Sequence, residues 1–440
     1  MDKMRFYKET NFKDTEIGRI PKDWEVVRLG EVAIFETGKR MKGGGLADGE
    51  VLSLGGEHIG VNGNVVLDNP KHITKEFYDR LRKGKLRVGD IILCKDGAKT
   101  GKVAFLKEKI ADFMAVNEHI FIIRPKVPIC DNVYLFYFLF SFLAQKQIQE
   151  IYHGIIGGIT NKQLANLLFI LPPLSEQEKI AEILSTVDEL VQRTDEIIAK
   201  TERLKKGLMQ ELLTKGIGHK EFKDTEIGRI PKDWEVVRLG DISFISSGNT
   251  APQEEKYFEE GKFPFIRVQH LNELKEGKYP IHFDLVNERA VSELKLKKFN
   301  KGAIIFPKSG ESIRLEKRAI LNEDSYVVNH LAVIEPLNKG VNNLFLFYCL
   351  CRVKTSEYLT QTTMPSLNLA AIRGFLLPLP PLSEQEKIAE ILSTVDEKIE
   401  IERKRKEKLE RIKKSLMDLL LTGKIRVGVE ECDNDGRENK

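Results

Sequence analysis

The chain has 440 residues, and its 70 lysines and arginines nearly balance 66 aspartates and glutamates, giving a formal net charge of +4. This balance excludes a strong global attraction to nucleic acid, so any basic surface has to be local. The length is too great for one hydrophobic core, which predicts at least two domains.

The cysteines and the N-terminal sequence indicate the cellular compartment. The five cysteines are odd in number and form no CxxC motif: Cys94, Cys130, Cys349, Cys351 and Cys432. Reduced thiols in a cytoplasmic protein are the simplest interpretation. The N-terminal residues have no apolar stretch typical of a signal peptide, which agrees with that location.

Two stretches of the sequence occur twice, letter for letter. Phe12 to Gly30 recurs as Phe222 to Gly240, and Leu171 to Glu189 recurs as Leu379 to Glu397. An internal repeat of this kind predicts two copies of one structural unit. The bodies between the repeated stretches, residues 31–170 and 241–378, share little sequence. This contrast indicates one frame used twice and two bodies that read different targets.

Each opening repeat contains a proline turn, then Trp24 or Trp234, then a short apolar strand that ends at Gly30 or Gly240. An exposed tryptophan can stack on a nucleic-acid base. A tryptophan inside an identical structural repeat is more often a packing anchor, and we favour that interpretation.

The bodies keep a common pattern of mixed strands and helices. LRVGDIILCKDGAKTGKVAFL predicts a strand, a turn and a second strand, and FNKGAIIFPKSGESIRLEKRAIL repeats this scheme. The apolar run from Val133 to Leu143 is too short for a membrane span, which needs about 20 residues. It predicts a buried helix, with a counterpart at Leu344 to Leu350.

A long helix follows each body. Pro172 and Pro173 stop any upstream helix, Ser175 and Glu178 match a capping box, and Gly216 ends the helix after Thr214. Apolar spacings of three and four residues predict a seam that packs on another helix. On the first helix this seam comprises Ile180, Ile183, Val187, Leu190, Thr194, Ile197, Thr201, Leu204 and Leu208.

The second long helix begins with the same cap at Ser383 and Glu386 but has a different middle. Its predicted seam comprises Ile388, Ile391, Val395, Glu402, Arg405, Leu409, Ile412, Leu416 and Leu419. Polar residues in a seam weaken pairing but help to fix its register. The basic stretch 398–414 is interpreted as a solvated helix face, with an attraction to DNA or a partner as the alternative.

These elements predict an α+β fold with two globular bodies and two long helices that pack on each other as a coiled coil. The predicted segments are a first globular domain at 1–170, a first long helix at 171–216, a second globular domain at 217–380, a second long helix at 381–424 and a C-terminal tail at 425–440.

The sequence resembles the specificity subunits of type I restriction-modification enzymes. The resemblance covers the whole chain and rests on IPxxWxxxxLG, on GDIIL and above all on LPPLSEQEKIAEIL, the start of the long helix. It implies that the two globular domains are target-recognition domains, each of which binds one half of a split sequence in double-stranded DNA. It also implies that the two helices form an antiparallel coiled coil, set the spacer between the halves and dock two methyltransferase (modification) subunits, with restriction subunits as optional partners.

Candidate DNA-binding residues lie in loops of both bodies. Lysine and arginine serve phosphates and guanine edges, glutamine suits adenine, and glycine amides can approach phosphates closely. A plain surface role competes with base contact for each of them, and a structural role competes for the two histidines. The candidates are Lys39, Arg40, Lys42, His58, Lys95, Lys99, Thr100 and Lys102 in the first body and Arg267, Gln269, His270, Lys308, Ser309 and Arg314 in the second.

No catalytic motif is recognised in the sequence. An adenine methyltransferase motif, a Walker loop and clusters with metal-ligand spacing are all missing. We therefore expect a non-enzymatic recognition subunit with no cofactor or metal of its own, whose partners bring S-adenosylmethionine and ATP. The alternative from the same residues is a coiled-coil structural or assembly protein that binds protein partners.

Overall fold

The structure is a computed structural model that describes residues 4–152, 158–272, 279, 283–337, 340–359 and 365–429. The chain forms two compact units. The first comprises Met1–Arg193 with Lys406–Lys440, and the second comprises Thr194–Arg405. The units divide within the long helices, whereas the predicted domain boundaries separate bodies from helices. Residues 430–440 of the predicted tail, with Cys432, lie outside the described residues.

The first unit mixes short strands and helices, and it shares the helix α6 (Leu174–Lys215) with the second unit. Its preceding elements are β1 (Met4–Lys8), β2 (Phe12–Thr15), β3 (Gly18–Pro21), β4 (Glu25–Arg28), α1 (Leu29–Val32), β5 (Ala33–Thr37), β6 (Val51–Leu54), β7 (Lys71–Ile73), α2 (Lys75–Arg80), β8 (Ile91–Cys94), β9 (Val103–Phe105), β10 (Phe113–Val116), β11 (Ile120–Pro125), α3 (Asn132–Phe140), α4 (Phe142–Ile151), α5 (Asn161–Ala165) and β12 (Leu168–Leu171).

The second unit follows the same order and ends in the helix α12 (Leu382–Leu421), which continues into the first unit. Its elements before α12 are β13 (Phe222–Thr225), β14 (Gly228–Pro231), β15 (Glu235–Arg238), α7 (Leu239–Ile242), β16 (Ser243–Ser247), β17 (Phe263–Ile266), α8 (Val268–Asn272), β18 (Asp284–Val286), α9 (Glu288–Glu293), β19 (Lys298–Phe299), β20 (Ile304–Pro307), β21 (Ala319–Ile320), β22 (Ser325–Val327), β23 (Leu331–Pro336), α10 (Asn343–Arg352), α11 (Leu369–Arg373) and β24 (Leu376–Leu379). The strand β25 (Ile425–Val429) follows α12.

The two bodies share one sheet topology. An antiparallel sheet with strand order β5-β11-β8-β9 in the first body corresponds to β16-β23-β20-β21 in the second. Beside it, β10 pairs with β6 in parallel in the first body, and β22 pairs with β17 in parallel in the second. The bodies are therefore two copies of one fold, although their sequences differ.

The central strands and helices follow the sequence predictions. The predicted strand, turn and strand are β8 and β9, and their antiparallel register pairs Ile92 with Ala104. The predicted apolar helix forms two helices, α3 and α4, because Ser141 ends the first and caps the second through the Ala144 N–H. Its counterpart is the buried helix α10. Both Trp24 and Trp234 are fully buried, which confirms their interpretation as packing anchors.

The long helices begin one residue earlier than predicted, at Leu174 and Leu382. Helix ends commonly shift by a residue or two between assignments. The first helix ends at Lys215, and Gly216 follows with a φ of 66°, which suits the left-handed stop predicted for it. Among the described residues, no helix combines the length and the apolar character needed to cross a membrane.

The buried stripe of each long helix agrees with the predicted seam at every other position. At the positions between, it lies one residue later in the sequence than predicted. Ile197, Leu204, Ile391 and Ile412 were predicted in the seam and are exposed, so these predictions were wrong. Arg405 is also exposed, while Ile183 and Leu190 are half-buried. The buried or half-buried stripe on α6 comprises Ile180, Leu184, Val187, Val191, Thr194, Ile198, Thr201, Lys205, Leu208 and Leu212. On α12 it comprises Ile388, Leu392, Val395, Ile399, Glu402, Lys406, Leu409, Lys413, Leu416 and Leu420.

The shift arises because apolar residues occur in adjacent pairs along α6. Ile183 precedes Leu184, Leu190 precedes Val191, and the pair at 197 and 198 repeats the choice. Spacings of three and four fit either member of a pair. The structure fully buries Leu184, which joins the core of the first body, and it half-buries Val191 and Ile198.

The two long helices pack together and run antiparallel. In the second unit Glu202 pairs with Arg403 at 2.6 Å, while Lys205, further along α6, pairs with the earlier residue Asp396 at 2.6 Å. In the first unit Lys413 approaches Asp188 at 2.5 Å. Lysines in the seam are therefore neutralised by aspartates of the facing helix.

A tyrosine of each body completes these ion pairs. In the first unit the Tyr137 hydroxyl donates to Asp188 at 2.7 Å, and in the second the Tyr348 hydroxyl donates to Asp396 at 2.6 Å. Burial and the neighbouring carboxylate raise the pKa of both phenols, so both remain donors. Each aspartate thus ties a body to the pair of helices.

The first unit also joins the two ends of the described chain. Strand β1 pairs antiparallel with β25, with Phe6 opposite Val427. The first residues of the predicted tail are therefore part of a sheet. In the second unit the chain runs directly from α6 into β13.

Candidate nucleic-acid interface

A cleft in the first body collects several of the predicted cations. The loop after β5 carries Lys39 and Arg40, both exposed, and Gly43 and Gly44 follow with φ values of 89° and 87°. Left-handed backbone of this kind favours glycine. The cleft has a volume of about 180 Å³ and is lined by Lys39, Arg40, Met41, Gly44, Gly45, Ser53, Lys71, Ile73, Asn117, Glu118 and His119. Lys42 is exposed on the same loop but does not line the cleft.

Lys71 and His119 also line the cleft, although neither was among the candidates predicted from the sequence. Lys71 begins β7 and pairs with Glu57 at 3.0 Å. His119 lies in the turn between β10 and β11, and its Nδ1 lies 2.5 Å from a carboxylate oxygen of Asp96. A histidine follows the aligned asparagines Asn117 and Asn329 in both bodies, and this shared pattern could have identified it.

Four other candidates of the first body, Lys95, Lys99, Thr100 and Lys102, lie in the turn between β8 and β9. Lys95 and Lys102 are half-buried at its ends. Lys99 donates to the carbonyl of Glu57 at 3.0 Å, and the Thr100 hydroxyl donates to the carbonyl of Gly97 at 2.6 Å. Lys99 and Thr100 thus already hold the turn and the neighbouring loop in place.

The two predicted histidines hold backbone turns inside the bodies. His58 is fully buried, and its Nδ1 accepts a hydrogen bond from the Gly55 N–H at 2.8 Å. His270 is also buried and accepts from the Arg267 N–H at 3.0 Å. Burial lowers the pKa of His58, so its ring is neutral at pH 7. These positions favour the structural role for both side chains.

In the second body, Arg267 and Gln269 lie at the end of β17 and on α8. Arg267 forms an ion pair with Asp284, and its guanidinium lies 5.8 Å from the ring centres of Phe258 and Phe265. Gln269 is exposed, two residues further along the chain. The arginine is thus held in one orientation at the edge of the body.

The loop after β20 carries the remaining candidates of the second body. The Ser309 hydroxyl lies 2.6 Å from Nδ1 of His330, and Arg314 is exposed and paired with Glu311 at 3.0 Å. The half-buried Lys308 donates its backbone N–H to the His330 carbonyl at 2.9 Å. The Lys95 N–H donates in the same way to the His119 carbonyl at 2.8 Å, so His119 and His330 occupy equivalent positions.

Buried thiols provide no nucleophile near these loops. Burial raises the pKa of Cys94 to about 11 and that of Cys130 to about 12. A thiol with such a pKa is protonated at pH 7 and is a poor nucleophile. The neighbouring loops can donate and accept hydrogen bonds and can attract anions, as a recognition surface requires.

Comparison with known proteins identifies the family. The family model of the type I restriction modification DNA specificity domain matches residues 21–203 and, a second time, residues 231–411. The chain belongs to this family. Its two matched regions are target-recognition domains, which makes it a type I specificity subunit. The match gives no support to the alternative of a structural assembly protein.

Individual relatives agree with the family model over nearly the whole chain. The MjaVIII type I restriction enzyme specificity subunit of Methanocaldococcus jannaschii is 34% identical, over 96% of this chain and 98% of its own. The crystal structure of a type I S subunit from M. genitalium shares the fold with a TM-score of 0.59 at 18% identity, over 90% of this chain and 96% of its own. A structure from work on complex assembly of the type I restriction-modification system has a TM-score of 0.52 at 20% identity, over 92% and 99%.

Proposed function

We propose that each body of this specificity subunit reads one half of a split sequence in double-stranded DNA. The proposal rests on one observation: the two bodies share one sheet topology, but the loops at equivalent places carry different polar residues. A shared scaffold presents its loops to the same kind of ligand. Different side chains on those loops select different bases.

In the first body, the cleft beside the glycine loop is the proposed contact surface. Lys39, Arg40 and Lys71 line it together with Glu118, which lies 3.7 Å from Arg40. The lining thus carries more cations than anions, as a surface that binds phosphates does. The positive φ values of Gly43 and Gly44 allow the backbone to approach a phosphate closely. His119 adds a polar ring beside these cations.

In the second body, Gln269, Lys308 and the Ser309–His330 pair form the proposed contact surface. Glutamine can pair with adenine through two hydrogen bonds, and serine and histidine can each donate and accept. Arg267 is preorganised by Asp284 and two phenylalanine rings. Ordering a side chain before binding lowers the entropy cost of complex formation.

The long helices are proposed to set the unspecified spacer of the target and to dock two methyltransferase subunits. A helix of 42 residues such as α6 extends about 63 Å at the usual rise per residue. On α6, the side chains of Ile197 and Leu204 are exposed beside the buried stripe. Exposed apolar rows on a helix are typical of surfaces that bind another helix.

The chain itself is proposed to make and break no covalent bond. Under this proposal S-adenosylmethionine and ATP bind to the partner subunits, restriction subunits join as optional partners, and the complex acts in the cytoplasm. The protonated state of the buried thiols supports the absence of thiol chemistry in the first body.

The test is a domain exchange read out by DNA methylation. Residues 31–170 are replaced by the corresponding body of a relative, and the methylated sites are mapped genome-wide. We expect one half of the target to change, while the other half and the spacer stay the same. Insertion of helical turns into both long helices should lengthen the spacer and leave both halves unchanged.

A finer test uses the cleft. The Lys39→Ala/Arg40→Ala variant should bind cognate duplex more weakly, by about 1–3 kcal/mol if one of the two reads a base, and with a shallower salt dependence if they contact phosphates. Lys109→Ala is the matched control, because Lys109 is exposed on the same body but does not line the cleft. Equal effects of both variants, or a domain exchange that alters both half-sites, would contradict the proposal.

A further inference from the structure

A histidine and two carboxylates meet in the second unit, and none of them belongs to the loops proposed to bind DNA. His219 follows α6, Asp233 precedes Trp234, and Glu384 lies in the first turn of α12. Nε2 of His219 lies 2.8 Å from Glu384, and its Nδ1 lies 3.3 Å from Asp233. One ligand atom from each residue lies within 4.8 Å of the other two, a spacing that can hold a metal ion.

Glu384 is held in place by two further donors. Trp234 Nε1 donates to its Oε2 at 3.0 Å, and the Ile217 N–H donates to its Oε1 at 2.8 Å. These hydrogen bonds fix the orientation of the carboxylate. Hydrogen bonds to ligating groups are the usual way in which proteins orient a metal site.

The first unit contains the same two carboxylates, and there they bind a cation. Asp23 and Glu176 correspond to Asp233 and Glu384 in the identical repeats, and Trp24 Nε1 donates to Glu176 at 3.1 Å. Arg426, which follows α12, bonds both oxygens of Glu176 at 2.8 Å and both oxygens of Asp23 at 2.8 and 2.9 Å. Its guanidinium lies 5.3 Å from the Trp24 ring, as His219 lies against Trp234 at 6.1 Å.

The two units therefore place different side chains at one position. The first repeat carries a permanent guanidinium charge between its carboxylates. The second repeat carries an imidazole, which is a ligand for transition metals. A pair of carboxylates that binds a cation in one copy is expected to bind one in the other.

We propose that His219, Asp233 and Glu384 bind a divalent transition-metal ion of the Zn²⁺ class, which fills the role that Arg426 has in the first unit. One nitrogen and two carboxylate oxygens are a usual donor set for Zn²⁺, with water completing the coordination. The half-exposed Asp233 gives the ion a path from solvent. The ion links the segment after α6 to the start of α12, so the site is structural and independent of DNA recognition.

The experiment is Zn²⁺ titration of the full-length protein after treatment with a chelator. Calorimetry should give one Zn²⁺ bound per chain, and saturating Zn²⁺ should raise the thermal unfolding midpoint. Co²⁺ in place of Zn²⁺ should give a visible absorption spectrum without a thiolate band, which excludes the cysteines as the site.

The decisive variant is His219→Arg. It replaces the ligand with the side chain that serves the first unit, so the fold is expected to persist while Zn²⁺ affinity falls at least about tenfold, or about 1.4 kcal/mol. Asp233→Asn should weaken Zn²⁺ binding as well, whereas the matched change Asp23→Asn in the first unit should leave it unchanged. The proposal is overturned if the wild-type protein binds no Zn²⁺, or if His219→Arg and Asp233→Asn bind it as tightly as the wild type does.

Discussion

Two polar clusters occur at equivalent places in the described parts of both units, and only one of them has the same residue types in both. The tyrosine, aspartate and lysine around Asp188 recur around Asp396 with nearly equal distances. The cluster around the buried glutamate differs, because Arg426 neutralises Glu176 whereas His219 faces Glu384. The aspartate cluster draws its lysine from the facing helix in both units. The glutamate cluster draws Arg426 or His219 from the segment after a long helix, where the repeats have diverged.

The largest expected effect comes from removing the arginine. Arg426→Met leaves Glu176 and Glu9, both well shielded from solvent, without their cation, so the free energy of unfolding should fall by about 3–5 kcal/mol. His219→Met in chelator should lower it much less, by about 1 kcal/mol or below, since Asp233 is more than half exposed and Glu384 keeps its two N–H donors. Urea denaturation measures both.

Hydrogen exchange can locate the change. Arg426→Met should speed exchange in the paired strands β1 and β25 before it does so in the second body. Equal losses of stability in the two variants would show that the two glutamate clusters do not differ as described.

A smaller effect is expected at the cluster that both units share. Lys413→Met removes the cation from Asp188 and should lower the free energy of unfolding by about 1.5–3 kcal/mol. Lys205→Met should have a weaker effect on the second unit, because Lys205 is 30% exposed and Lys413 only 12%. Tyr137→Phe and Tyr348→Phe are the matched controls, each losing one hydrogen bond. A larger loss for Lys205→Met would reverse the order that burial predicts.

Acid should affect the first unit through the same arginine. Hydrogen bonds from Arg426 are the main cause of the lowered pKa of Asp23. The pKa of Glu9 is lowered chiefly by the hydrogen bond from the Asn11 N–H, and Arg426 lowers it further. A carboxyl with a lowered folded-state pKa stabilises the fold above its unfolded pKa, and this contribution is lost as the pH falls through the folded value. Stability should therefore decline as the pH falls below about 4.5.

The matched measurement is the pH dependence of urea unfolding in Arg426→Met. Its decline below pH ~4.5 should be shallower than that of the wild type, because the variant has already lost the interaction that acid removes. The difference should be modest, since solvent screens the half-exposed Asp23. Identical slopes for both proteins would contradict the assigned cause.

Much of this fold was predictable because the repeats carry strong local signals. The double proline and glycine bounds of α6, the strand pair β8 and β9 and the buried tryptophans each follow from residues close in sequence. The ion clusters were not predictable in this way. Arg426 reaches Glu176 across 250 positions of the chain, and no local pattern relates the two.

The candidate site was predictable only in part for the same reason. The glycine loop and its cations stand out in the sequence, whereas Lys71 joins their cleft through the pairing of β7 with β6. Lys99 and His58 have the residue types of DNA ligands but hydrogen-bond to backbone groups within the body. Residue type alone does not separate these two roles, because both use the same donors and acceptors.

The smallest expected effect tests the phase of the helix seam. Leu204 was predicted in the seam but is 56% exposed, so Leu204→Ala should change the free energy of unfolding by no more than about 0.5 kcal/mol. Leu392→Ala, at a fully buried position of the same unit, should lower it by about 2–5 kcal/mol. Both changes are leucine to alanine within a long helix, so helix propensity is matched and burial alone separates them. Similar losses of stability at the two positions would return Leu204 to the seam and remove it from the surface proposed for methyltransferase docking.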